Sequence, residues 1–354
     1  MIVIRPVAYA DLDRLYNLAK KVGPGMTTFP ADKEVLLQKI VASEKAFSSS
    51  VTKEESNSFL MVLEDTKTNA VMGTAGVYSN IGTDVPFYTF QILSRNKHSY
   101  KLQNKVASKT LHLVNEYTGD TEVGTLILDP DYRGGGGGGG GGYGKLLSKC
   151  RYLLVAQFPH LFSSRIVAEL RGWSDDNAIS PFWEAVGKHF FGGMQYDHAD
   201  FLCATNNQFI SDLMPDYPIY VDLLPEEAQA VIAKPHDVGV PALNMLFKEG
   251  FRYENYVDIF DGGPTVHAYI ENIETIRSSQ NKIVDSILDS VEDENQGELD
   301  CLVCSSSLAN FRVCQTRITS LSDSRVAISV STADRLQVVI GDTIRVYQLN
   351  EEDK

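Results

Sequence analysis

Nine consecutive glycines, Gly134 to Gly142, lead into Gly142-Tyr143-Gly144-Lys145 and then a helical apolar stretch. Just before them, Val123-Gly-Thr-Leu-Ile-Leu128 reads as a strand and ends in Asp129-Pro-Asp-Tyr-Arg133. Strand, glycines and helix in that order can cradle an anion. Successive N–H groups of a glycine-rich turn converge on it, no Cβ blocks its approach, and the helix N-terminus adds unpaired donors and partial positive charge. The anion that fits is a pyrophosphate. No Gly-Lys-Ser/Thr ending is present and no GxGxxG follows the first strand, so neither a Walker loop nor a dinucleotide fold is expected. Cys301-Leu-Val-Cys304 is a lone CxxC. A zinc site needs a second ligand pair, and only Cys314 lies near, so buried thiols and no metal are expected. Spacing alone marks out none of the seven histidines.

The elements that must hold these residues alternate between strand and helix. Ile2-Val-Ile4 is a β-branched run, followed by a helix with Leu12, Leu15, Leu18 and Ala19 on one face that stops at Gly23-Pro-Gly25. Residues 33–47 are helical again. Phe59 to Leu63 and Ala70 to Tyr78 form two strands across the polar turn Glu64 to Asn69. After the glycines, Leu146 to Phe158 is a helix and Arg165 to Leu170 a strand. Ser180-Pro181 opens a further helix that Gly187 closes. A proline start, apolar helix, glycine stop and aromatic strand then recur from Pro241 to Gly250. This echo predicts a second, partial copy of the same α/β unit after residue ~200. Residues 283–300 hold seven acidic residues and no Lys or Arg, the mark of a solvated linker. The tail is strand-like throughout, and a small β-barrel is its simplest packing. The expected division is 1–200, 201–282, a linker 283–300, and a barrel 301–354.

The 354 residues carry 32 Lys plus Arg against 46 Asp plus Glu, a formal charge of −14. Such a surface disfavours nucleic acid and anionic lipid as partners. No apolar run reaches the ~18–20 residues of a membrane helix. The start shows no signal-peptide pattern, and five cysteines make no disulfide framework. The cytosol is the expected compartment.

Ile4-Arg5-Pro6 with Asp11-Leu12, the hairpin 59–78, and the strand–Arg133–Gly-x-Gly–helix order resemble the GNAT N-acyltransferases, whose cradle binds the pyrophosphate of coenzyme A. Longer blocks resemble one branch, the arginine N-succinyltransferases: Leu126 to Arg133, Leu146 to Lys149, Ala168 to Gly172, Ser180 to Trp183, Ala199 to Cys203, Leu213 to Pro215, Glu227 to Gln229 and Phe251 to Tyr253. The most distinctive is Tyr256-Val-Asp-Ile-Phe-Asp-Gly-Gly-Pro-Thr265. The resemblance runs from residue 2 to about 277 and is weaker in the tail. It implies an α/β (α+β) GNAT fold and succinyl transfer from succinyl-CoA to the α-amine of L-arginine, the first step of succinyl-route arginine catabolism. The chain departs from the family pattern at the cradle. Arg133 stands eleven residues before Gly144, where the family has five.

The resemblance marks Leu126 for succinyl-CoA through its strand backbone, with Leu128, Arg133, Gly142, Gly144 and Lys145 as the remaining donor-binding residues. Gly136 and Gly138 are the alternative cradle glycines. It marks His236, in Ala233-Lys-Pro-His-Asp-Val-Gly-Val240, as the catalytic acid–base group, because the tyrosine many relatives use is missing from Ser180 to Trp183. Histidine titrates near neutrality and suits that work. Glu169, Asp258 and Asp261 are candidates for the substrate guanidinium. Arg171 is a candidate for the succinyl carboxylate, or else an ion-pair partner of Glu169. The loop Gly23 to Thr28 lies where relatives line the acceptor pocket. A homo-oligomer, or a hetero-oligomer with a related subunit, is expected. The rival readings are transfer to ornithine or another amine, and a non-catalytic partner subunit.

Overall fold

In the computed structural model, which describes residues 1–22, 28–48, 51–135, 142–203, 208–289 and 298–350, fifteen strands share one hydrogen-bonded ladder. In chain order they are β1 (Ile2–Pro6), β2 (Asn57–Asp65), β3 (Ala70–Ser79), β4 (Thr89–Ser99), β5 (Asn104–Val114), β6 (Thr121–Leu128), β7 (Arg165–Glu169), β8 (Ile219–Tyr220), β9 (Arg252–Asp258), β10 (Pro264–Tyr269), β11 (Gln280–Leu288), β12 (Glu298–Ser305), β13 (Val313–Ser322), β14 (Arg325–Ser329) and β15 (Thr343–Gln348). The main sheet runs β1-β2-β3-β6-β7-β10-β9-β4-β5-β8. The last five strands run β12-β15-β11-β14-β13, and β12 pairs back onto β13, which closes a five-stranded barrel. One register pair, Ile4 with Val313, joins barrel to sheet.

Strand alternation explains the layers. On β2, Leu60 and Val62 face the helices α1 (Leu12–Val22) and α2 (Lys33–Ser48), together with Leu15, Leu18, Leu36 and Ile40. Phe59, Met61 and Leu63 face α3 (Tyr143–Gln157) on the other side, against Leu147, Cys150 and Leu154. The Arg5 and Asp11 of the matching N-terminal block form a bidentate pair at 2.7 and 3.0 Å. Asp11 also accepts from the Ala8 N–H at 2.9 Å and so sets the start of α1.

Four expectations change. Residues 201–282 build no sheet of their own: β10 pairs with β7 and β9 with β10, because the open edge of β7 needs a partner. The expected linker is barrel strand at both its ends. β11 begins at Gln280 and buries Val284, and β12 begins at Glu298; residues 290–297 lie outside the described residues. The tail is not all strand, since Ser329 caps a helix over Val330–Leu336. Gly187 opens a second short helix rather than closing the first, and the Trp183 ring fills the space its Cβ would take. The long β4–β5 hairpin had no counterpart in the sequence reading.

The CxxC thiols sit on opposite faces of β12. Cys301 packs in the barrel and Cys304 against α3, so they share no ligand position. Burial pushes both up to about 12. Among the described residues no cluster of His, Cys, Asp and Glu could hold a metal, and no helix is long and apolar enough to cross a membrane.

A buried knot ties barrel to α3. Lys149 of α3 donates to Glu249 (2.7 Å), Thr275 (3.2 Å) and the Tyr347 hydroxyl of β15 (3.2 Å), and lies 4.5 Å from the Tyr347 ring centre.

Candidate active site

β6 and β7 run parallel, yet they are in register only at Thr121–Ile166 and Glu122–Val167. Beyond that vertex they diverge, and a cavity of about 250 Å³ opens between them. β6 contributes Val123 to Ile127, and the end of β7 contributes Ala168 to Arg171. Lys21 and Val22 of α1, Pro130, Arg133, Arg151 of α3, Val238, Gly239, Ala242 and Leu246 complete the wall.

β6 bulges inside this cavity. Thr74 is in register with Ile127 and Gly76 with Gly124, so Ala75 faces two residues, Thr125 and Leu126. Thr125 takes the left-handed conformation, φ 49°, which a β-branched residue rarely adopts. Two bonds hold it there. Thr74 Oγ1 donates to its carbonyl at 2.9 Å, and its hydroxyl bonds the Tyr78 hydroxyl. The bulge leaves the backbone of Thr125 and Leu126 without a register partner on either neighbouring strand.

One wall of the cavity is cationic. Arg151 is 2% exposed, and among the described residues its guanidinium bonds only Ser148, to the carbonyl at 3.1 Å and the hydroxyl at 3.0 Å. Arg171, two residues beyond the end of β7 at Glu169, forms no ion pair with that glutamate. The described residues set no carboxylate within 4 Å of either guanidinium. A buried cation without a counter-charge is costly unless a ligand supplies one. Arg133, at the cradle end, is exposed and donates to the Leu128 carbonyl at 3.0 Å. Lys21 holds Asp129 at 2.7 Å and Asp131 at 2.8 Å, which fixes the Asp-Pro-Asp turn.

Glu169, the one carboxylate of the cavity lining, belongs to a buried acidic cluster with Glu122, Asp258 and Asp261. Burial raises Glu169 well above the carboxylate range, and Asp258, Glu122 and Asp261 push the same way. Burial and Asp261 raise Asp258. Burial pushes Glu122 up to about 7, against the pull of Lys39. The Thr265 hydroxyl lies 3.3 Å from Glu169, and the Tyr196 hydroxyl donates to Asp261 at 3.0 Å. No Lys or Arg of the described residues lies within 4 Å of these four carboxylates.

His236 stands beside the cavity rather than in its wall. Its N–H donates to the Arg171 carbonyl at 2.8 Å, Pro235 bridges to Gly172, and the Val238 N–H donates to Nδ1 at 3.3 Å. Burial lowers the imidazole, and Arg171 adds to that, while Asp237 and Asp261 oppose it. This join depends on two glycines. A Cβ on Gly172 would lie 2.4 Å from the Asp261 carbonyl oxygen, and one on Gly263 would lie 2.0 Å from that of Leu170. The Asp-Gly-Gly-Pro-Thr block thereby packs directly on the end of β7.

The sequence pattern of the arginine N-succinyltransferase beta subunit family matches residues 2–275, and that of the family's C-terminal domain matches residues 286–347. The chain belongs to the arginine N-succinyltransferase family. The arginine N-succinyltransferases of Citrobacter koseri and Escherichia fergusonii are 40% and 39% identical to it, over 100% of this chain and 99% of theirs. The structure described as arginine/ornithine succinyltransferase subunit AI from Pseudomonas aeruginosa superposes with a TM-score of 0.87 at 32% identity and 99% coverage of both chains. The family is one of acyltransferases.

Against this succinyltransferase frame, Leu126, Arg133, Glu169 and Arg171 share one cavity, and the His236 loop reaches it through Val238 and Gly239. Leu128 lies outside the cavity wall, and its side chain, like that of Leu126, packs against the α3 core. Gly142 caps α3 with φ 114°, and Gly144 and Lys145 lie in its first turn. Asp258 and Asp261 stand behind Glu169 rather than in the cavity wall. Gly136, Gly138 and residues 23–27 lie outside the described residues. Sequence reasoning missed Glu122 and Arg151. Both carried a signal: the one charged residue of the strand Thr121 to Leu128, and a lone arginine in the apolar run Leu146 to Phe158.

Proposed function

We propose that this chain is a GNAT-type enzyme that moves the succinyl group of succinyl-CoA to the α-amine of L-arginine. The products are N2-succinyl-L-arginine and CoA, as in the first step of succinyl-route arginine catabolism. The observation that carries the reading is the bulged backbone at Thr125–Leu126, outside the strand register, in a cavity that also holds Arg151, Arg171 and Glu169. A thioester carbonyl can take the Leu126 N–H as its oxyanion donor. The CoA pyrophosphate sits at the cradle of Arg133, Gly142, Gly144 and Lys145, at the N-terminus of α3. Arg171 and Arg151 are the cations available to the succinyl carboxylate and the CoA chain. Glu122 and Glu169, backed by Asp258 and Asp261, receive the guanidinium, whose charge relieves their mutual repulsion.

The amine attacks the thioester carbon directly. Its proton passes to neutral His236, and the imidazolium returns it to the departing thiolate. His236 starts neutral because burial and Arg171 lower it. We place the enzyme in the cytoplasm, as an oligomer and without a metal. Ornithine is the second acceptor to consider, since the solved relative from Pseudomonas aeruginosa is described with both acceptors.

The test combines calorimetry of succinyl-CoA binding with turnover on paired donors and acceptors. His236→Ala should lower kcat by about 10²–10⁴-fold and leave the succinyl-CoA dissociation constant unchanged. The acid limb of kcat/KM should fall below the ordinary histidine range. No succinyl-CoA consumption with arginine at any pH from about 7 to about 9, where histidine is neutral, would overturn the reading.

A further inference from the structure

The β4–β5 hairpin reaches well beyond the sheet. β4 pairs with β9 only at Thr89–Gln91, and β5 pairs with β8 only at Thr110 and Leu111. Residues 92–109 therefore pair with nothing but each other. An isolated two-stranded ribbon is marginal in water, and both its edges offer unpaired backbone groups.

Its composition is opposite to that of the chain. In a protein of net charge −14, residues 92–109 hold Arg95, Lys97, Lys101, Lys105 and Lys109 and no Asp or Glu. Leu93, Arg95, Lys97 and Val106 share one face. The turn adds Tyr100, 85% exposed, and Leu102, 76% exposed.

At the root of the arm, beside β8, lies the complementary surface. Residues 208–233 contain no Lys, Arg or His. Asp212, Asp216, Asp222, Glu226 and Glu227 are exposed there, among the exposed apolar side chains of Leu213, Tyr217 and Leu223. No ion pair links arm and patch within the chain.

We infer that the arm docks on the 208–227 patch of a second copy of this chain, and that the exchange is reciprocal. Each copy carries both the arm and the patch, so one two-fold axis uses each surface twice, the closed arrangement preferred by homo-oligomers. Cations meet carboxylates and exposed apolar groups meet one another, as a stable interface requires. The two segments together exceed the ~20–30 residues a side of a standard interface. The inference is independent of the succinyl-transfer reading.

The test is sedimentation velocity on the full chain. Wild type should run at twice the mass of one chain. Arg95→Glu/Lys97→Glu/Lys101→Glu, all at exposed positions, should run as a monomer with unchanged circular dichroism and succinyl-CoA binding. Asp216→Lys/Asp222→Lys/Glu226→Lys should do the same. Mixed in equal amounts, the two variants should restore the doubled mass, since the reversed arm fits the reversed patch. A wild-type monomer, a dimer that survives both reversals, or folded monomeric variants that fail to pair would each overturn the inference. So would a wild type that stays monomeric yet binds heparin or a DNA oligonucleotide through the arm.

Discussion

Replacing Glu122 by glutamine should make the unliganded protein more stable in a pH-dependent way. Glu122 is pushed from the ordinary 4.5 up to about 7 because β6 buries it beside Glu169 and Tyr78, with Lys39 as the opposing cation. The folded state therefore holds a proton that the unfolded chain has lost, and stability falls as pH rises from about 4.5 to about 7. The 2.5-unit difference, at about 1.4 kcal/mol per unit, amounts to about 3 kcal/mol by pH 8 and under about 1 kcal/mol at pH 5. Glutamine does not titrate, so Glu122→Gln should exceed wild type by nearly that amount at pH 8 and approach it at pH 5. Relief of Glu169, which Glu122 also repels, acts in the same direction. Urea denaturation without ligands at the two pH values measures the difference. In turnover, the same variant should raise the KM for arginine by about tenfold or more, as expected for a lost charged hydrogen bond, with succinyl-CoA binding unchanged. A stability difference equal at both pH values, or a wild type more stable at pH 8, would refute the argument that this carboxylate is held against its own charge.

Gly263→Ala should cost about 2–3 kcal/mol by urea denaturation, an ordinary overpacking penalty, and lower kcat, because the added Cβ meets the Leu170 carbonyl just past β7, beside the Arg171 and Gly172 that hold the His236 loop. Gly144→Ala, where a Cβ meets nothing within 4 Å, should leave stability unchanged. Removing six of the nine glycines restores the family spacing from Arg133 to Gly144. It should tighten succinyl-CoA about threefold, or ~0.7 kcal/mol of loop closure, by calorimetry. Unchanged or weaker binding would show that loop length does not limit the cradle.

Most of the elements around the site are legible from local pattern. α1, α2, β2, β3, β6 and α3 each announce themselves by period, and the glycines before α3 by backbone chemistry. The divergence of β6 from β7 is not legible, because it depends on which strands lack a partner past Glu122 and Val167, a non-local fact. The same holds for β10, which looks like part of a second unit until the edge of β7 claims it. Glu169 and Arg171 invite pairing by spacing, yet the fold turns one to carboxylates and leaves the other without any. The acidic run 283–300 misleads because a half-exposed barrel strand tolerates charge on its outer face, and Val284 alone faces in over Lys282 to Asp285.

The Lys149 knot bears on how such a protein can be taken apart. By register the barrel hangs on the sheet at a single residue pair, which suggests a module free to be lost or exchanged. Tyr347, however, supplies both a hydroxyl and a ring face to an ammonium group of α3. A chain cut before the barrel would expose that charge, and with it the α3 side chains that pack on Leu302, Cys304, Phe311 and Tyr347. Barrel and α3 therefore stand or fall together, and a truncation meant to isolate the main sheet would remove part of its foundation.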